Sequence, residues 1–400
     1  MLLYYTRACI IALMLLPCTY SFASLHSTTL PQTNLAQTNL TEINDKYATK
    51  ITTLWDTGTG ELIKQLTSHL LIVESALFSP DSQYALIGSL DGIARLWSLA
   101  TGEVKELKCS SSKCVGTDTF PVTFSTNSSL ALTGTGKHPL CLWSIPSGEL
   151  LHELTGHTDY VTSVALSSND KYALSGSWDN TVRLWDAVTG EIIQVLTSHT
   201  AHVSAVAFSP DNNYALTGDF DGIACLWSIP SGILIQKFTG RNLDISSIQF
   251  STDGTKALIG SFDTCVWQIP SGLLIAKIPT ETSVITTTAL SHDGKYVLIG
   301  LDEGIARWIH LATNESTDLK GHKCRIAAVA LSPSGKYALT GSFDNTARLW
   351  NTQTGTCLKE FKGHTHTVSF VEFSPDGKFI LTGSLLMIRL WPTGNIRDYK

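Results

Sequence analysis

The sequence predicts an all-β fold in which eight small four-stranded antiparallel sheets close into a ring. Three observations lead there. Tryptophan recurs at a nearly constant interval. Each interval holds four short strand-like runs separated by turn residues. Strand-like runs left over at the two ends of the chain complement each other.

The tryptophans stand at positions 55, 97, 143, 185, 227, 267, 308, 350 and 391, at intervals of 42, 46, 42, 42, 40, 41, 42 and 41 residues, and only Trp178 lies outside the series. Self-similarity at such a period marks a repeat architecture. A glycine follows five residues after the tryptophan at Gly60, Gly102, Gly148, Gly190, Gly232, Gly272 and Gly355, where a tight turn wants positive φ. The alternating segment 191–196 illustrates what comes next, followed by the β-branched run 203–208 and the turn Ser209-Pro210-Asp211. Residues 214–218 and 223–227 complete the unit. Each run is four to seven residues long and bounded by Gly, Pro, Asp or Asn, so each reads as a strand.

Seven complete sets end their third strands at Trp97 through Trp350, while the set ending at Trp391 lacks its fourth. Residues 61–66 are an orphan fourth strand at the other end. Joining them removes two exposed sheet edges, which favours eight blades. Residues 50–55 are a surplus third-strand-like run that competes with 387–391, and a seven-bladed ring with one displaced blade is the alternative.

The pairs Gly156-His157, Gly321-His322, Gly363-His364, Trp185-Asp186 and Trp55-Asp56 identify what this resembles: the WD40 repeat family, over roughly residues 47–391. Elsewhere the second position drifts, as in Trp97-Ser98, Trp350-Asn351 and Trp391-Pro392. The resemblance implies a β-propeller. It also bears on three sets that would otherwise suggest Ser-His-Asp catalysis: His157, Ser175, Asp179 and Trp185; His199, Thr217, Asp221 and Trp227; His322, Thr340, Asp344 and Trp350. In that family such residues form a hydrogen-bond chain locking the strands of one blade. The chemistry fits, since a buried indole N–H wants an acceptor and a hydroxyl can pass the chain on to imidazole and carboxylate. Ile87, Ile259 and Ile299 replace the hydroxyl in weaker units, Arg241 stands where a histidine is expected, and Leu386 replaces the acid.

The position before the blade aspartate holds Leu90, Trp178, Phe220, Phe262, Leu301 and Phe343, with Leu385 in the last unit. The resemblance places it on the top rim around the central channel, a partner-binding surface. Tyr160, His202 and Arg325 precede the first inner strand of their units and share that rim. The expectation is a ring of exposed apolar groups; the other reading packs the aromatics inward between blades.

Residues 1–23 read as a signal peptide, with Arg7, the apolar run 8–16, and small residues before a cleavage point after Ala23. Residues 24–46 form a polar spacer without periodic apolar residues, expected to be disordered. Export to a periplasm or the medium follows, or a cytoplasmic location if the apolar run is no signal. Cys109 and Cys114 flank a short Ser-rich stretch and could close a small loop in an oxidising compartment. No CxxC pair or Cys/His ligand spacing points to zinc, and no cofactor is implied.

With 28 basic and 34 acidic residues the chain carries a formal charge of −6, which argues against nucleic acid as its main ligand. The composition, 43% apolar and 16% charged, excludes a disordered chain. The function expected is a non-catalytic, monomeric scaffold, without a membrane span in the mature chain, that binds a protein or peptide on its rim. A carbohydrate- or surface-binding adhesin and a propeller enzyme are the alternatives.

Overall fold

A computed structural model describes residues 64–66, 73–109, 121–134, 139–239, 244–261, 264–278, 283–385 and 387–393. The expectations for residues 1–23, 24–46 and 50–55, and those for Arg241, Phe262 and Leu386, lie outside these residues.

The described strands form eight four-stranded antiparallel sheets. We number them as blades in chain order from Val73. Blade 3 shows the pattern: Val161–Leu166 is the innermost strand, followed outward by Tyr172–Ser177, Val182–Asp186 and Ile192–Leu196. Innermost strands touch their neighbours all the way round, including Val368–Phe373 of blade 8 against Val73–Phe78 of blade 1. The ring therefore has eight blades, and the seven-bladed alternative is excluded. Blade 8 is completed as expected. Lys64–Leu66 supplies its outer strand, pairing antiparallel with Met387–Pro392 so that Gln65 faces Arg389.

The core is a set of sandwiches between blades. Trp185 of blade 3 packs on Leu132 and Leu142 of blade 2, and Trp227 of blade 4 packs on Leu174 and Leu184 of blade 3. The same contact closes the ring, with Trp97 of blade 1 against Leu381 and Leu390 of blade 8. The turn glycines are needed where blades approach. Gly190 has a φ of 76°, and an added Cβ would meet His152 of blade 2 at 2.9 Å.

Blade 6 departs from the tryptophan series. Its third strand keeps the common register, with Arg307 facing Ile299 as Arg348 faces Thr340 in blade 7, but the tryptophan stands one residue early in it: Trp308 faces Leu298, whereas Trp350 faces Ala338. A shift of one residue turns a side chain to the other face of a sheet. Trp308 accordingly packs toward blade 7, beside Ala338 and Trp350, while Ile309 takes the usual tryptophan place against Leu258 and Val266 of blade 5.

Inner-strand hydroxyls fasten one blade to the next. Thr162 donates to the carbonyl of Val203 at 2.5 Å, Ser204 to Ile245 at 2.6 Å and Thr286 to Ile326 at 2.6 Å. A second row uses backbone donors. The N–H of Leu290 donates to Gln249 Oε1 at 2.8 Å and the N–H of Phe78 to Glu372 Oε2 at 2.7 Å. The latter spans the ring closure.

Candidate functional site

Strands alternate in direction, so the turns after second strands and the links into first strands share one end of the ring, the top. The polar chains lie beneath that end. In blade 3, Trp185 Nε1–H donates to Ser175 Oγ at 2.9 Å; His157 joins through Nε2 at 2.7 Å and holds Asp179 through Nδ1 at 2.8 Å. Blade 7 repeats this with Trp350 to Thr340 at 2.9 Å, His322 to Thr340 at 2.7 Å and His322 to Asp344 at 2.8 Å. Burial opposes ionisation of both aspartates. Hydrogen bonds from the histidine, from Thr181 or Thr346 and from a backbone N–H outweigh it, and hold both carboxyls far below the usual range.

Blade 4 corrects the expected set. His199 Nδ1 bonds Asp219, at 2.8 Å, not Asp221. Asp219 is fully buried at the end of the second strand and also accepts the N–H of Asp221 and of Ile223. The rest of the set stands, with His199 to Thr217 at 2.7 Å and Trp227 to Thr217 at 2.8 Å. Blade 8 holds a fourth chain that the search for aspartate missed. Trp391 donates to Thr382 at 2.8 Å, His364 bonds Thr382 at 2.8 Å, and Ser384 Oγ takes the acid's place at 2.9 Å. Without a carboxylate partner, burial, and secondarily the charge of Arg389, push His364 down to about 3. Blade 1, with Ile87 in place of the hydroxyl, uses instead a buried ion pair, Arg95 to Asp91 at 2.8 Å.

Ser175, Thr217, Thr340 and Thr382 are each 0% exposed. Every hydroxyl already bonds both indole and imidazole, so none is free to attack a substrate. Among the described residues no group of three His, Cys, Asp or Glu side chains could hold a metal ion.

Above these chains lies the rim. Tyr160 packs edge-on against Trp178 with centroids 5.1 Å apart, Trp178 stacks on His202 at 5.3 Å, and His202 meets Phe220 edge-on at 5.9 Å. The backbone fixes the file: Trp178 N–H donates to Tyr160 O and Phe220 N–H to His202 O. His202 Nδ1–H donates to Trp178 O at 2.6 Å, tying blade 4 to blade 3. On blade 7, Arg325 lies 5.6 Å over the ring of Phe343. Leu90, Leu385 and all of these residues are half-buried, not exposed. The aromatics spend part of their surface on one another across the blade boundary, so the two readings of this position are combined in one structure.

Leu301 does not belong to the rim. It is buried, 4% exposed. It pairs with Ile285 as Ser177 pairs with Val161, which puts it at the end of the strand. The rim position in blade 6 is Asp302, whose N–H donates to Val284 O as that of Phe343 does to Arg325 O. Asp302 also accepts the N–H of Val284 and places its negative charge near Arg325, whose pKa burial lowers and Asp302 raises. The collar is thus an aromatic file on blades 3 and 4 and a mixed charged and aromatic pair on blades 6 and 7.

Cys109 is bonded to Cys141, 32 residues away, not to Cys114, which lies outside the described residues. The bond joins the end of blade 1 to the third strand of blade 2, at the position that holds arginine in blades 1, 3, 6, 7 and 8. Cys324 is disulfide-bonded as well.

A ring of repeated four-stranded blades, locked by Trp–hydroxyl–His chains under one rim, defines a WD40-type β-propeller. The chain belongs to the WD40 repeat family, and the family model described as WD domain, G-beta repeat, matches residues 60–98, 148–186, 190–228, 313–351 and 355–392. Relatives match over short stretches. The small ribosomal subunit protein RACK1 of Trypanosoma brucei brucei is 44% identical over 43 residues, 11% of this chain and 14% of that protein. The eukaryotic translation initiation factor 3 subunit I of Aspergillus niger is 38% identical over 58 residues, 14% of this chain and 17% of that one. The ribosome biogenesis protein bop1-A of Xenopus laevis is 40% identical over 47 residues, 12% and 6% respectively. The chain therefore spans only a small part of the length of these relatives. Among solved structures, the computationally designed Ika8 protein superposes with a TM-score of 0.70 at 23% identity, covering 81% of this chain and 97% of that one, a likeness of fold.

Proposed function

We propose that this chain is a non-catalytic scaffold that binds a protein or peptide through the top rim of its propeller. The observation that carries the reading is the file Tyr160, Trp178, His202 and Phe220. Four rings held rigid by backbone and ring contacts form a pre-organised anchor surface at small entropic cost to a partner, and aromatic and arginine side chains dominate binding energy in protein interfaces. Arg325 and Asp302 add a polar pair on the other side of the channel. The buried, doubly bonded hydroxyls support a structural role for the histidine sets. That the relatives named above include a ribosomal subunit protein and an initiation factor subunit supports a place in an assembly for this chain too.

Export belongs to the same reading. Disulfides persist in oxidising compartments, and Cys109–Cys141 and bonded Cys324 support secretion through residues 1–23. The test is affinity capture of the mature chain from its native compartment, with Trp178→Ala, Phe220→Ala and Phe343→Ala combined. Loss of partners by a variant that still melts cooperatively is expected. Unchanged capture, or turnover in a broad hydrolase or lyase screen, would sink the reading.

A further inference from the structure

The outer strand of a blade presents an open row of backbone groups, and proteins usually blunt such edges with charge. Blades 1, 6 and 7 do so by one device, a third-strand arginine facing an outer-strand acid. Arg95 bonds Glu106 at 3.5 Å, Arg307 bonds Asp318 at 2.6 Å and Arg348 bonds Glu360 at 2.9 Å. Lys108, Lys320 and Lys362 add a second cation to each acid.

Blades 4 and 5 lack both partners. At the matching register Cys225 faces Lys237 and Cys265 faces Lys277. Blade 3 keeps Arg183 but sets Val195 opposite it. These three edges present apolar side chains instead: Ile192 and Val195, Ile233 and Ile235, Leu273 and Ile275, with Ile233 64% and Leu273 62% exposed. The three walls are one surface, because Gln194 of blade 3 lies against Gly232 of blade 4, and Gln236 of blade 4 against Gly272 of blade 5.

We propose that this wall is the contact through which two copies of the chain associate. The six side chains expose on the order of 500 Å² of apolar surface, toward the upper end of the largest patch an ordinary monomer carries. A stable interface takes roughly 800 Å² per partner, and these side chains supply its apolar centre. The wall is also self-complementary, as a two-fold contact requires. A two-fold axis at blade 4, the middle of the wall, pairs that edge antiparallel with its copy and brings the blade 3 edge toward the blade 5 edge of the other molecule. Pairing the blade 4 edge sets Gln236 opposite Gln236 and Ile235 opposite Lys237. No two lysines meet. In a chain of net charge −6, the outer strands Ile233–Thr239 and Leu273–Lys277 contain no acid. Two acidic molecules therefore meet there with least repulsion.

The test is sedimentation equilibrium of the full chain from about 1 to 100 μM, a range that brackets a micromolar contact. A dimer is expected at the upper end. Ile233→Lys combined with Leu273→Lys should weaken it at least about tenfold, as loss of central apolar anchors does, while the melting curve stays native. Leu358→Lys, on the exposed wall of blade 7, should leave the dimer intact. If the double variant does not fold, Ile233→Lys and Leu273→Lys are each read alone by the same criterion. A wild-type chain that stays monomeric throughout overturns the proposal, even if the wall captures another protein. So does a dimer that the folded wall variants leave unchanged.

Discussion

Replacing Glu372 by glutamine should remove a pH dependence from the ring closure. Glu372 Oε2 accepts the N–H of Phe78 across the junction of blades 8 and 1 at 2.7 Å. Burial in the inner strand pushes its carboxyl up to about 8 from an ordinary 4.5, with the Phe78 N–H pulling the other way. Between those two pH values the folded ring holds a proton that the unfolded chain has released. Stability from this group is therefore fully present below about pH 4.5 and is lost as pH rises toward about 8. At about 1.4 kcal/mol for each tenfold, the interval sets an upper bound of ~5 kcal/mol. Glu372 is only partly covered, so solvent screening brings the expected loss to ~1–2 kcal/mol. Glutamine is a proven occupant, since Gln249 makes the same bond to Leu290 in blade 5 at 2.8 Å. Urea unfolding of both proteins at pH 5, 6.5 and 8 reads the effect. The variant should match the native chain near pH 5 and exceed it by ~1–2 kcal/mol at pH 8. Every other group is common to both proteins and cancels in the difference. Equal slopes with pH in the two proteins would refute the reasoning.

Asp219→Asn should cost ~3 kcal/mol by leaving the buried His199 without its carboxylate, whereas Asp221→Asn should cost under ~0.5 kcal/mol; chemical denaturation separates the two. Ser384→Asp should give His364 the partner that Asp219 gives His199, raise its pKa from about 3, and stabilise blade 8. A neutral buried histidine contributes stability that is present above its unfolded pKa of 6.5 and lost as pH falls toward about 3, so the gain of the Asp variant should be largest on the acid side, read by thermal melts at pH 5 and 7. Cys141→Ser should cost about 3–4 kcal/mol, as expected for a bond closing a 32-residue separation, and its melting temperature should fall toward that of the reduced wild-type chain.

The fold was readable because propeller order is local. Turn glycines, strand runs and the tryptophan period report each blade from its own residues, and the leftover strand at 64–66 could be matched to the last three by counting. The site was harder because it depends on register. Aligning units on aspartate puts Leu301 on the rim, whereas aligning Gly300 with Gly176 and Gly341 would have picked Asp302; by that same alignment Asp221 stands where Asp179 and Asp344 do, so the choice of Asp219 could be read only from the structure. Arg307, aligned with Arg348, likewise signals the shift at Trp308.

The sequence by itself determined the number of blades, the strand order within each, the closing strand and three polar chains save one acid. Each follows from spacing of a few residues along the chain. Tertiary structure decided which way Trp308 faces, that Cys109 bonds Cys141, that Ser384 can stand in for an acid, and that the rim aromatics pack on one another across a blade boundary. Those outcomes depend on which blade lies beside which side chain, and a one-residue shift reverses the facing while leaving the repeat intact.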